Sequence, residues 1–122
     1  MGGVQPAAEV RLYHAGLATT AVGIFDSGSP YTIFSPEYAE LIGIDDVTAG
    51  NREGITTFGG PFEIYLFDLE IQLVVAGPRF AGQIGFSPAR APRNILGRSV
   101  IFAAFEIGFH ERAQLLHLRS EA

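Results

Sequence analysis

The 122-residue sequence has no cysteine. That excludes disulfides, thiolate nucleophiles and Cys-ligated zinc, and leaves the chain indifferent to the redox state of its compartment. Positive charge is scarce as well: eight Lys and Arg against 13 Asp and Glu give a formal net charge of −5. Nucleic-acid binding draws most of its affinity from clustered cations, so no nucleic-acid partner is expected. Long apolar runs are missing too, although 48% of residues are hydrophobic and only 17% charged. Together these point to a soluble globular fold with no membrane insertion. Residues Met1 to Ala8 lack the positive start and apolar stretch of a secretory signal, so a cytoplasmic setting is the default expectation.

What the sequence does contain is many short strand-like segments with turn residues between them. Residues 1–8 read as an N-terminal segment and 9–122 as one domain, a length suited to a single core and too short for two lobes. Glu9-Val10-Arg11-Leu12-Tyr13 alternates polar with apolar, and Ala21-Val22-Gly23-Ile24-Phe25 reads as a largely buried strand. Ser35-Pro36-Glu37 supplies an N-cap, a first-turn proline and an early acid; Tyr38, Leu41 and Ile42 follow at helical spacing, with Gly43 as a stop. Ile55 to Phe58 and Phe62 to Leu66 flank Gly59-Gly60-Pro61, a hairpin pattern. Leu69 to Leu73 alternates cleanly; Ile84 to Pro88 reads as rich in turns, and Ser99 to Ala104 as helical. A closing hairpin is expected over Phe105 to Leu118. The fold expected is mainly β, a closed barrel with one or two short helices and one lobe per chain.

The best candidate for chemistry is Asp26. An acid at the end of a buried strand, on a turn of Ser27, Gly28 and Ser29, is positioned by rigid structure yet open to solvent. Asp-Ser-Gly is also common turn chemistry with no catalytic role, so the tripeptide alone does not decide the matter. His14, His110 and His117 show no metal-ligand spacing with an acidic partner, and no metal is expected. No Gly-x-Ser-x-Gly elbow surrounds Ser27 or Ser29, which makes a serine hydrolase a poor fit.

A second constellation, Ile95-Leu96-Gly97-Arg98, follows the turn-rich stretch. Taken in order, Phe25-Asp26-Ser27-Gly28-Ser29, Phe58-Gly59-Gly60-Pro61 and Ile95-Leu96-Gly97-Arg98 resemble the retropepsins, the single-domain aspartic proteases that include the retroviral enzymes. The resemblance runs from about Val10 to Leu118 and implies the acid-protease barrel. Each chain would supply one catalytic aspartate, Asp26, to a dyad completed by a second copy, so the active form would be a homodimer without cofactor. Phe58, Gly59, Gly60 and Pro61 would form a flap over an extended polypeptide substrate, with apolar side chains preferred beside the cut. Ile95, Leu96, Gly97 and Arg98 would lie under the site. Gly28 would allow close backbone approach; Ser27 would exchange hydrogen bonds between subunits beneath the dyad. Ser29 would bond an aspartate oxygen, favouring an acidic working range. One position departs from the family pattern: the acid that usually pairs with the arginine is Pro30 here, which leaves Arg98 without its familiar partner. The alternatives to an enzyme are a catalytically silent dimerisation or peptide-binding module of the same fold, and an unrelated monomeric β-barrel in which Asp26 merely caps a turn.

Overall fold

The computed structural model describes residues 6–57, 60–74 and 77–102, except the side chains of Thr57, Ile101 and Phe102. Phe58 and Gly59 of the expected flap, the end of the expected helix at Ala103-Ala104, the closing hairpin, His110 and His117 lie outside the described residues.

Strands β1 (Ala7–His14) and β2 (Leu17–Phe25) form an antiparallel hairpin in register from Ala7 opposite Ile24 to His14 opposite Leu17. Its two-residue turn, Ala15-Gly16, holds both φ angles positive, at 51° and 82°, the geometry that matches the twist of the flanking strands. β2 is not the buried strand that its composition suggests. Ala21 and Gly23 face inward while Val22 remains 56% exposed, the alternation of a sheet covered on one face.

The chain continues through β3 (Ile33–Phe34), helix α1 (Pro36–Leu41) and a short 3₁₀ turn at Val47–Ala49. Then come β4 (Asn51–Thr57), β5 (Gly60–Leu73), β6 (Arg79–Phe86) and β7 (Asn94–Leu96). The sheet order is β1-β2-β7-β3-β6-β5-β4, and β1 also pairs with β5. That extra pairing closes six of the strands into a barrel and leaves β4 as a flange on β5. The expected closed, mainly β architecture is therefore the one observed. Among the described residues, no helix is long and apolar enough to cross a membrane.

β5 is the spine of the molecule. Its 14 residues pair with β4 at one end, β6 along the middle and β1 at the other end. Leu69, Ile71 and Leu73 point into the barrel core and alternate with polar residues. The earlier half is covered on both faces: Tyr65 and Phe67 pack on the barrel core, whereas Ile64 and Leu66 join Ile33 in a second, smaller cluster. Hence Phe62 to Phe67 is apolar at almost every position, while Leu69 to Leu73 shows the period of two. The main core is centred on Phe34 and Phe86, both fully buried with ring centroids 6.4 Å apart. Burying a side chain of that size contributes about 1.5–3 kcal/mol.

Two segments differ from the sequence reading. Ile84 to Phe86 is the inner end of β6 rather than a turn, because Gly85 here serves close packing: a Cβ on it would lie 2.8 Å from Ile64 Cδ1. Beyond Gly97 the described residues form a kinked turn, Arg98–Phe102, instead of a regular helix, with Ser99 extended and Val100 at a φ of 63°.

Ser35 precedes α1 with extended backbone, and Pro36 opens the helix as expected, but the serine hydroxyl does not cap it. It donates to the Glu37 carboxylate and accepts from Ala91 N at 3.1 Å. Arg90 donates to Glu37 Oε2 through Nε at 3.1 Å and Nη2 at 3.0 Å, which pins the loop before β7 against the helix. The bonds from Ser35 and then Arg90 hold the Glu37 carboxyl below its ordinary value of 4.5. A lowered folded-state value stabilises the fold above the ordinary value and ceases to do so as pH falls through the lowered one. Glu37→Gln should therefore melt slightly below wild type near neutral pH, with the gap closing on acidification below pH 4.5. The gap should be small, because the Arg90 side chain is exposed and screened. Melting curves at several pH values check this, and a gap independent of pH would contradict it.

Candidate active site

Asp26 follows the last residue of β2, and its main chain is fixed from two sides. Asp26 N donates to Leu96 O on β7 at 3.0 Å, and Ser29 N returns to Asp26 O at 3.1 Å, closing a tight turn. Gly28 N donates to Asp26 Oδ1 at 2.9 Å, which orients the carboxylate; the side chain otherwise stands exposed at the mouth of a cleft. Ser27 is exposed at the tip of the turn.

Beneath the turn, the parallel pairing of β2 with β7 sets Ile24 beside Ile95 and Phe25 beside Leu96. β3 flanks β7 on its other side, with Ile33 opposite Ile95. Gly97 then slides under the loop: a Cβ there would sit 2.1 Å from Tyr31 O and 2.7 Å from Ser29 O. Arg98 N donates to Ser29 O at 2.9 Å and Ser99 N to Pro30 O at 3.1 Å. The buried Thr32 hydroxyl links both segments, accepting from Gly97 N and donating to Ser99 O, each at 3.1 Å. Thr32→Val keeps the shape and removes the hydroxyl, stranding a buried donor and acceptor at a cost of about 1–3 kcal/mol. Chemical denaturation of the variant checks this, and an unchanged midpoint would show that water replaces the hydroxyl.

Across from Asp26 stands the β4–β5 hairpin. Its register pairs Ile55 with Phe62 and Thr57 with Gly60. Gly60 carries a φ of 105°, the positive angle that such a turn asks of glycine. Between the hairpin and the Asp26 turn lies a cleft of about 770 Å³. Asp26, Gly28 and Ser29 line one side, Ile55, Thr56 and Phe62 the other, and Tyr31, Ile33 and Ile95 the rest of the wall. The lining is mostly apolar, so an exposed acid opens onto a hydrophobic groove.

Asp26, Gly28, Ser29 and Ile95 meet at the cleft, and Leu96 and Gly97 support it from below. Gly60 and Pro61 belong to the opposing hairpin. Ser29 differs from its expected part: its hydroxyl proton goes to Tyr31 O at 2.6 Å, so it has none left to donate to an Asp26 oxygen. The support that Ser29 would lend to an acidic working range falls with that bond. Arg98 contributes its backbone N–H, while its side chain points to solvent.

Tyr31 and Glu53 were not among the sequence candidates. Tyr31 lines the cleft, and its hydroxyl donates to Glu53 Oε1 on β4 at 3.1 Å, tying floor to hairpin. Burial, and then the bond and charge of Glu53, push the Tyr31 phenol up. The one available signal was their spacing, Tyr31 just beyond the acid turn and Glu53 on the same strand face as Ile55. Among the described residues no group of three or more His, Asp or Glu could hold a metal ion. The sequence matches no protein-family model and no curated protein.

Proposed function

We propose that the chain is one subunit of an aspartic endopeptidase of the retropepsin kind, which cuts extended polypeptides through a dyad of Asp26 and its counterpart in a second copy. One observation carries the reading: an exposed carboxylate on a braced turn faces a glycine-bearing hairpin across a mostly apolar cleft of about 770 Å³. One carboxylate alone cannot act as base and acid together, whereas two brought to about 3 Å share a proton. The ionised member would deprotonate a bound water that attacks the peptide carbonyl. The protonated member would donate to the developing oxyanion, and the two would then exchange roles. No covalent intermediate is needed.

The homodimer is part of the proposal, because this chain carries a single Asp-Ser-Gly turn. A cytoplasmic setting is part of it as well. The test is cleavage of a diverse peptide library between about pH 3 and pH 7 by chain whose dimeric state is verified by sedimentation, a range set by the titration of carboxylate pairs. Cutting within apolar stretches supports the reading. A dimer that binds peptides and cuts none identifies the silent peptide-binding module, and a monomer refutes both.

A further inference from the structure

We infer that Glu53 forms a cation-binding subsite at one end of the cleft, so that preferred peptides carry an Arg or Lys side chain at one fixed position outside their apolar centre. This rests on the peptide-binding reading of the same cleft, and it adds a second acid, apart from Asp26, at the edge of a mostly apolar groove.

Three features point to it. The first is placement. Glu53 stands two residues before Ile55 on β4, and residues two apart in a strand share a face. Ile55 lines the cleft, and the Tyr31 ring, also in its wall, reaches Glu53 with its hydroxyl. The carboxylate therefore stands at the cleft's edge, at the junction of floor and hairpin.

The second is charge balance. Glu53 is half-buried, and its cross-strand neighbour Ile64 is fully buried. Its bond from Tyr31 comes from a neutral donor and cancels no charge. A carboxylate offers about four acceptor positions, so this one keeps most of its capacity. The adjacent Arg52 is spent on Glu63, with Nη1 to Oε1 at 3.5 Å, on the opposite parity of the hairpin. No cation stands against Glu53 among the described residues.

The third is surroundings. Ile55 and Ile64 on the β4–β5 hairpin and Tyr31 from the floor reduce the water around the carboxylate, which strengthens its attraction for a cation relative to the same charge on an open surface. An acid without a counter-charge, at the edge of a groove that takes an extended chain, is a recognition element for a basic side chain.

The experiment uses the full chain carrying Asp26→Asn, so that bound peptides stay intact. The probe is a set of short peptides with a constant apolar centre and one arginine moved position by position, read by fluorescence anisotropy. One arginine position should improve binding about tenfold over alanine, a gain that shrinks with added salt. Glu53→Gln should abolish that gain while leaving the all-apolar peptide unaffected, and Glu53→Asp should restore part of it. Tyr31→Phe should retain it, since the phenol is a neighbour and not the counter-charge. A flat scan overturns the inference, as does an arginine preference that survives Glu53→Gln. If the unmutated chain fails to cut the same peptides while the Glu53-dependent preference holds, the protease reading fails and the subsite stands.

Discussion

Gly97→Ala should unfold the region beneath the candidate site, with a loss above about 3 kcal/mol, at or beyond the upper end for overpacking by one methyl group. A Cβ at this position meets Tyr31 O at 2.1 Å, Tyr31 C at 2.6 Å and Ser29 O at 2.7 Å, all of them main-chain atoms that cannot turn away as a side chain can. Relief requires the 29–31 segment to move, and that segment is held by Arg98 N on Ser29 O and by Ser99 N on Pro30 O. The clash and the loss of those bonds therefore act together. At roughly 4 °C per kcal/mol for a domain of this size, the melting temperature should fall by more than about 10 °C. Gly54→Ala is the control: no atom lies within 4 Å of its added Cβ, and its melting curve should barely move. If Gly97→Ala melts within a degree or two of wild type, β7 does not pass under the turn as described.

Asp26→Asn should have the opposite signature, with the fold intact and the activity gone. The side chain is exposed, and its bond from Gly28 N ends on Oδ1, an oxygen that asparagine retains. The melting temperature should therefore stay within about a degree of wild type, as for surface substitutions in general. An amide can neither ionise to take a proton from water nor share one with a partner carboxylate. Both halves of the proposed acid-base cycle are lost in a dimer of variant chains, and peptide turnover should fall at least about a thousandfold, within the range that positioned acid-base groups supply. Mixed dimers of variant and wild-type chains should be as inactive as variant dimers, since the dyad needs both acids. Turnover by Asp26→Asn above a tenth of wild type would exclude Asp26 from the chemistry.

Much of the architecture was open to inspection in the sequence, because the elements that carry it obey local rules. The clean alternation at Leu69 to Leu73, Gly60 of the β4–β5 hairpin and Pro36 at the first turn of α1 each encode their structure within a few residues. What stayed hidden depends on partners far along the chain. Gly85 reads as a turn residue until Ile64 is seen to need its space, and Val22 reads as core until the other face of β2 proves uncovered. The stretch after Gly97 has helical composition, yet Val100 takes a left-handed φ and lies against Gly82, where a Cβ would come within 2.1 Å of Val100 Cγ2. At the site, Asp26 and Gly97 were recognisable from motif order. The destination of the Ser29 hydroxyl was not, since choosing between Asp26 and Tyr31 O is a matter of one rotamer. The Tyr31–Glu53 bond was equally invisible, joining two segments that only the hairpin's fold-over brings together.

The strand order also sets a timetable. β7 is the last strand described, yet it lies in the middle of the sheet, between β2 and β3, which come from the first third of the chain. Contacts between distant parts of a sequence form slowly, because the intervening chain must first give up its freedom. On a ribosome the Asp26 turn emerges early and waits for Asn94 to Gly97 to arrive beneath it. Until then its aspartate has neither the brace from Leu96 nor the wedge of Gly97. A nascent or truncated chain that ends before β7 thus carries the acid without the means to hold it, and whatever Asp26 does is deferred until synthesis of the barrel is nearly finished.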